Sequence, residues 1–260
     1  MQLSKDTPAI VTGGASGLGR ATATALVEAG VPVAIFDIND EAGNAAAEDI
    51  GATYYHVNIL DEESVVAGFS AARAAQGQER ICVHCAMAST RGKTLAFDKE
   101  TGGYKKLDTE TYAMGVAGVL VASFRVASHS ALGMSSLEPM EDGERGAITL
   151  TASVAAQDAQ IGQIVYGSAK AGVNGLVLPM ARDLMNIGIR VNSIMPGIFA
   201  TPLMLGAPQP VLDSLAASVP FPKRLGKPEE FASLALELAR NGYFNGQCLR
   251  LDGAIRMAPR

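Results

Sequence analysis

Charge is scarce in this chain, and no part of it is strongly basic. Charged residues make up only 18% of the 260 residues, too few for long disordered tails. The formal net charge is −5, and there is no Lys/Arg cluster of the kind nucleic acid requires. Long apolar runs are missing too. Glycines and charges interrupt the longest of them, which predicts no membrane span. The opening residues MQLSKDTPAIVTGG contain no apolar signal core and no Arg-rich leader, so the expected location is the cytoplasm. Cysteine is rare: Cys82, Cys85 and Cys248 fit a reducing compartment. Cys82 and Cys85 formally make a C-x-x-C pair. RICVHCA reads as a buried strand, however, not as the helix start that would activate such a pair. No second pair completes a zinc set, so buried structural thiols and no metal site are expected. Linkers, tandem repeats and low-complexity tracts are absent, and residues 1–260 read as one domain.

What the chain does have is alternation. Short apolar runs predict strands at Ala9–Thr12, Pro32–Asp37, Thr53–Asn58, Arg80–Cys85, Ala147–Ser153, Arg190–Met195 and Gln247–Asp252. Ala-rich stretches with helical spacing lie between them: Leu18–Ala29, Glu41–Ile50, Glu62–Gln76, Thr109–Leu132 and Ile164–Asn186. Pro179 falls inside the last of these and predicts a kink. Continuous apolar strands alternating with helices imply an α/β fold, a doubly wound sheet of about seven parallel strands with helices on both faces.

Two segments break the rhythm. Arg91–Leu107 is a polar insertion with Gly102-Gly103 inside it. Ile198–Lys227 is rich in proline and carries short helical pieces. Both follow strands, so both are expected above the carboxyl edge of the sheet, where open α/β sheets bind ligands. Substrate contact is the favoured reading of each, with a solvated loop as the alternative.

TGGASGLG, Thr12–Gly19, follows the first strand and opens the first helix. Gly13, Gly17 and Gly19 permit a tight turn and close approach of backbone to a ligand. The helix starting near Leu18 offers free N–H groups and a positive dipole end to an anion, with Ser16 in the same turn. Asp37 ends the second strand, eighteen residues after Gly19. A carboxylate there accepts from ribose hydroxyls and repels a 2′-phosphate. Neither Ser16 nor Ile38 is basic, so nothing offsets that repulsion. The expected cofactor is therefore NAD. Asn58 and Ile59, after the third strand, are candidates to flank its adenine.

Ser153 ends the fifth strand run, Tyr166 follows thirteen residues later, and Lys170 four after that. A spacing of four puts the phenol and the ammonium on one helix face. With this set the chain resembles the short-chain dehydrogenase/reductase family. The matching segments are TGGASGLG, the terminal Asp37, TASVAA with Ser153, YGSAK and IMPGIFATP, spread over nearly the whole chain. The resemblance implies a Rossmann-type fold and hydride transfer between nicotinamide and a secondary alcohol or ketone. It implies Tyr166 as acid/base, Lys170 as the group that lowers the phenol pKa and holds the nicotinamide ribose, and Ser153 as a donor to the substrate oxygen. Carried over residue by residue, it adds Cys85 and Ala86 beside the cofactor, Pro196-Gly197 as a turn by the nicotinamide, and Phe199 and Thr201 at its carboxamide end. LPMARDLMNIGIRV, PFPKRLGKPEEFASL and NGQCLRLDGAIRMAP sharpen it toward members that oxidise 3-hydroxyacyl-CoA esters. A steroid, aromatic or other apolar secondary alcohol is the alternative substrate. A weakly catalytic NAD(H)-binding assembly or regulatory protein is the alternative of another class. Relatives are usually homotetramers, and a homotetramer is expected here. Lys93, Lys99, Lys105 and Lys106 of the insertion are candidates to meet CoA phosphates, with a solvated loop equally open.

Two positions depart from the family pattern. HCAMAS stands where an Asn-Ala-Gly run is usual, so His84 replaces Asn and Met87 replaces Gly. AMGVAGVL puts Gly115 where the family carries an Asn that helps hold a water chain from the lysine. A water in that space, or another relay route, is expected to compensate, and Gly115→Asn is expected to raise turnover.

Overall fold

The computed structural model describes residues 1–259. β1 (Ala9–Thr12), β2 (Val33–Asp37), β3 (Thr53–His56) and β4 (Ile81–His84) alternate with α1 (Gly17–Glu28), α2 (Asp40–Ile50) and α3 (Glu62–Gln76). The polar insertion forms a hairpin, β5 (Leu95–Asp98) and β6 (Gly103–Lys106). One continuous helical rod follows: α4 (Thr109–Val116), a π turn over Ala117–Val121, and α5 (Ala122–Met134). β7 (Gly146–Thr151), α6 (Ala155–Asp158), α7 (Ile164–Asp183) and β8 (Ile189–Pro196) come next. α8 (Pro202–Leu205), α9 (Gln209–Ser218), α10 (Pro228–Arg240) and β9 (Cys248–Leu251) complete the chain.

The seven-stranded sheet has the order β3-β2-β1-β4-β7-β8-β9, and every pairing is parallel. β1, β4, β7 and β8 are buried at every residue. That is why β1, β4 and β7 read as near-continuous apolar runs, while β8 also buries Arg190, Asn192 and Ser193. One face packs Phe36, Phe69, Val119, Ile148 and Val173 into a core with α3, α5 and α7. The other packs Val11, Leu26, Ile35, Phe231 and Leu238 with α1, α2 and α10. The doubly wound α/β architecture expected from the alternation is the one observed, and strand order reverses between β1 and β4.

α7 contains Pro179 and continues past it to Asp183. Pro179 and Gly175, whose carbonyl loses its usual donor, are both exposed, so water can serve that carbonyl. The rod Thr109–Met134 is long and apolar enough to cross a membrane by length and composition, although its runs looked too short. In the fold its small residues Gly118, Ala122, Ala127 and Ala131 pack into the core. The insertion is a hairpin rather than an irregular loop. Its apolar Leu95 and Phe97 are exposed, so burial gave no strand signal. α10 was not foreseen, although Pro228 at its first position and the Glu230 carboxylate accepting from Lys227 N at 2.7 Å are helix-start signals.

Candidate active site

A cleft of about 510 Å³ opens over the carboxyl ends of β1, β4 and β7, at the reversal of strand order. Its floor begins at the glycine turn. Gly13 and Gly17 have φ of +67° and +55°, conformations that L side chains rarely adopt. A Cβ at Gly13 would stand 2.8 Å from Ala86 N, and one at Gly19 would collide with the Gly13 carbonyl. The bare backbone is thus needed for the turn to close on β4. Ser16 caps α1 without a side-chain bond, and no acidic residue sits in the helix's first turn. The positive end of α1 therefore faces the cleft beside Gly17, Leu18 and Gly19.

Asp37 lines one end. Its carboxylate accepts from Ala15 N at 3.2 Å, Ile38 N at 2.8 Å and Asn39 N at 3.1 Å. These bonds fix its orientation at the end of β2. Asn58 and Ile59 line the same end. Asn58 Oδ1 accepts from Leu60 N, and Arg125 Nη1 donates to the Ile59 carbonyl at 2.7 Å. The side chain of Asn58 is thus partly occupied in shaping its own turn.

The opposite end gathers Ser153, Tyr166 and Lys170. Ser153 follows β7, and its Oγ accepts from Ala155 N at 3.1 Å, leaving the hydroxyl hydrogen free to point elsewhere. Tyr166 and Lys170 project from the first turns of α7, with Lys170 Nζ 5.8 Å from the centre of the phenol ring. The ammonium donates to the Thr151 carbonyl at 2.5 Å. Burial pulls the Lys170 pKa down to about 8. It pushes the Tyr166 phenol up, and the contact with Ser153 pulls the other way. The hydrogen bond of the ammonium goes to Thr151, and burial is the larger influence on the phenol.

Cys85, Ala86, Pro196, Gly197, Phe199 and Thr201 line the cleft between these ends. Thr12 Oγ1 accepts from Cys85 N and Ala86 N, both at 3.2 Å. A Cβ at Gly197 would stand 2.8 Å from Asp252 Cβ, so β8 can leave the sheet beside β9 only as glycine. Thr201 caps α8 by accepting from Met204 N, and its methyl group faces Gly17 across the cleft. Burial raises the thiols of Cys82 to about 12 and Cys85 to about 11, which suits structural cysteines and no redox pair.

The structure brings every expected site residue to this one cleft. It does not bring the insertion: no residue of the hairpin lines the cleft, and of the proline-rich segment only Phe199, Thr201, Pro202, Leu203 and Met204 do. Gly115 is also corrected. The space beside it is filled, because a Cβ there would stand 2.6 Å from Thr90 Oγ1 and would collide with Val165. An Asn side chain does not fit that position without displacing its neighbours. The sequence reading missed Thr151, whose carbonyl anchors Lys170. Backbone acceptors carry no residue-type signal. It also missed Val57 and Leu60, apolar walls near Asp37 that resemble any other core residue in sequence.

Among the described residues no group of acidic, histidine and cysteine side chains is arranged to hold a metal ion. A family model described as enoyl-(acyl carrier protein) reductase matches residues 13–255. The chain is 41% identical over 257 residues to 3-hydroxyacyl-CoA dehydrogenase type-2 of Drosophila melanogaster, covering 98% of this chain and 99% of that relative. It is 40% identical over 253 residues to the protein of the same name from Homo sapiens, covering 96% and 95%. The crystal structure of 3-hydroxyacyl-CoA dehydrogenase type-2 from Mycobacterium avium superposes with a TM-score of 0.91 at 41% identity, covering all of both chains. A parallel sheet with this strand order, a cofactor-sized cleft at its switch point and these full-length similarities lead to one conclusion: the chain is an oxidoreductase of the short-chain dehydrogenase/reductase family.

Proposed function

We propose that this enzyme transfers hydride between NAD(H) and a 3-hydroxyacyl-CoA/3-oxoacyl-CoA pair. One observation carries the reading: Ser153, Tyr166 and Lys170 converge in the same cleft as the glycine turn and Asp37. The donor set fits a dinucleotide. The turn and the start of α1 would hold the pyrophosphate, Asp37 the adenosine ribose, and Asn58 and Ile59 the adenine edge. Pro196, Gly197, Phe199 and Thr201 would line the nicotinamide end, with Cys85 and Ala86 beneath. Asp37 disfavours a 2′-phosphate, and no basic residue lines that end, which supports NAD over NADP.

The nicotinamide supplies hydride donation or acceptance and, when oxidised, a positive charge. The chain's residues handle the proton and the oxygen. Ser153 Oγ–H donates to the substrate oxygen and stabilises charge that develops there. Tyr166, held protonated by burial, gives its proton to that oxygen when a ketone is reduced and takes it back when an alcohol is oxidised. Lys170 orients the nicotinamide ribose and offsets negative charge on the phenolate.

The apolar-alcohol reading keeps one specific observation in its favour. Lys170 is the only cation among the described residues lining the cleft, so no lining residue there is free to meet CoA phosphates. The hairpin supplies exposed Lys93, Lys99, Lys105 and Lys106 outside it. Its base reaches the start of α7 through Gly92 N, which donates to Gly162 O at 3.1 Å. The test is to follow NADH loss with acetoacetyl-CoA, then with NADPH in its place, and with a panel of apolar ketones. Oxidation of NADH by acetoacetyl-CoA above the panel is expected. Turnover with apolar ketones alone would transfer the assignment to them, and preference for NADPH would overturn the role of Asp37.

A further inference from the structure

His84 closes β4, and none of the chemistry above uses it. Its side chain is 2% exposed, and Nδ1 lies 2.7 Å from Thr12 Oγ1. That hydroxyl already accepts from the backbone N–H groups of Cys85 and Ala86. A threonine hydroxyl has two lone pairs and one hydrogen. Both lone pairs are occupied, so the hydrogen points at Nδ1, and Nδ1 accepts it. A neutral imidazole that accepts at Nδ1 carries its own proton on Nε2. Burial holds the ring neutral, lowering its pKa to about 3, and the Lys170 charge acts in the same direction. Nε2–H is therefore a fixed, buried donor, and it has no protein partner. Buried donors in folded proteins are almost always satisfied by protein or by ordered water.

The sheet brings Lys170 to the same place. His84 pairs in register with Leu150 on β7. The next residue, Thr151, offers its carbonyl to Lys170 Nζ and its hydroxyl to Cys85 Sγ at 3.3 Å. Cys82 and Leu150 belong to the core face that α7 covers with Ala169 and Val173. Strand alternation gives His84, two residues after Cys82, that same face. Lys170 is 3% exposed, and Thr151 takes one of its three N–H groups.

We propose that His84 is a positioning residue that holds one buried water beside Lys170. The water accepts from Nε2–H and from the ammonium. Nδ1, on the other side of the ring, fixes Thr12 and through it the Cys85–Ala86 backbone that floors the cleft. The ring thus ties the cofactor floor to the ammonium from beneath. The tautomer and the water stand on this geometry alone; their consequence for turnover rests on the role given to Lys170 above.

The test begins with full-length protein labelled with ¹⁵N in its three histidines. The His84 signals are those lost in His84→Asn. A neutral ring, protonated at Nε2 between pH about 5.5 and 8.5, with magnetisation transfer from Nε2–H to a long-lived water, is expected. A ring that titrates in that range, carries its proton on Nδ1 or shows no water contact overturns the proposal. NADH binding is then measured on His84→Leu, which loses both bonds, and on His84→Asn, whose carboxamide can accept from Thr12 and donate in place of Nε2. The Leu variant is expected to raise the NADH Kd about tenfold and Asn to rescue most of that loss. Equal affinity in wild type and His84→Leu overturns the positioning role. The expected imidazole signature together with NADH binding, but with no turnover of any carbonyl, would count against the catalytic reading and leave His84 standing.

Discussion

Lys170 is a liability for stability that the site needs for chemistry. Its folded pKa of about 8 lies below the ordinary 10.5, because burial disfavours the ammonium. Between those values the unfolded chain binds more protons than the folded one, so this residue's contribution to stability rises with pH. Below pH 8 the full penalty applies, about 3 kcal/mol at most. Lys170→Met is therefore expected to raise Tm at pH 7 by about 2–6 °C, with the gain fading as pH climbs toward 10.5. Calorimetry across that range checks it, and a lower Tm at pH 7 would contradict the burial argument. At this scale the sequence was informative wherever the residue type is the chemistry: Asp37, Ser153, Tyr166 and Lys170 were each legible from type and spacing. Thr151 was not, because its carbonyl is what matters. The direction of the Tyr166 shift was not, because desolvation depends on packing that spacing does not reveal.

At the scale of elements, α4 and its π turn illustrate how a missing side chain can be misread. Gly115 reads in sequence as a loss, and the fold shows a close contact: Val165 and Thr90 fill the space a Cβ would take. Thr90 Oγ1 also donates to the Thr111 carbonyl at 2.8 Å, tying the loop after β4 to the helix. Gly115→Asn is thus expected to lower stability by about 1–3 kcal/mol through overpacking, despite a helix-propensity gain of well under 1 kcal/mol. It is expected to reduce turnover rather than raise it. Denaturant melts with matched activity assays check this, and an active, stabilised variant would contradict the close contact. The hairpin is the second element-scale case. Lys93, Lys99, Lys105 and Lys106 are all exposed and lie outside the cleft. Replacing all four with Gln is expected to raise KM for acetoacetyl-CoA about three- to tenfold and leave KM for a small ketone unchanged. Equal changes for both would remove the hairpin from substrate binding. Buried parallel strands and the glycine turn were legible because a continuous apolar run followed by glycines has few other uses. The hairpin and α10 were not, since one buries little and the other rests on capping rather than on a long apolar run.

At the scale of the whole molecule, apolar side chains cluster on the outer faces of the long helices. Tyr112, Met114, Val121 and Phe124 of the rod and Ile164 and Leu178 of α7 are all at least one-third exposed. That much apolar surface on neighbouring helices is what an interface between copies would cover. We propose the homotetramer expected from the family resemblance, with a solution mass about four times 26.9 kDa by light scattering; a monomer at working concentration would contradict it. The residues proposed for chemistry line the cleft and do not lie on that outer surface.

The most direct test is the rate of NADH loss with acetoacetyl-CoA for wild type and Tyr166→Phe, with NADH affinity measured on both. The account predicts turnover in wild type, a loss of at least about 10²–10⁴-fold in the variant, and NADH Kd values alike within a few-fold. Full turnover in Tyr166→Phe would contradict it, because hydride transfer would then proceed without the acid assigned to that residue.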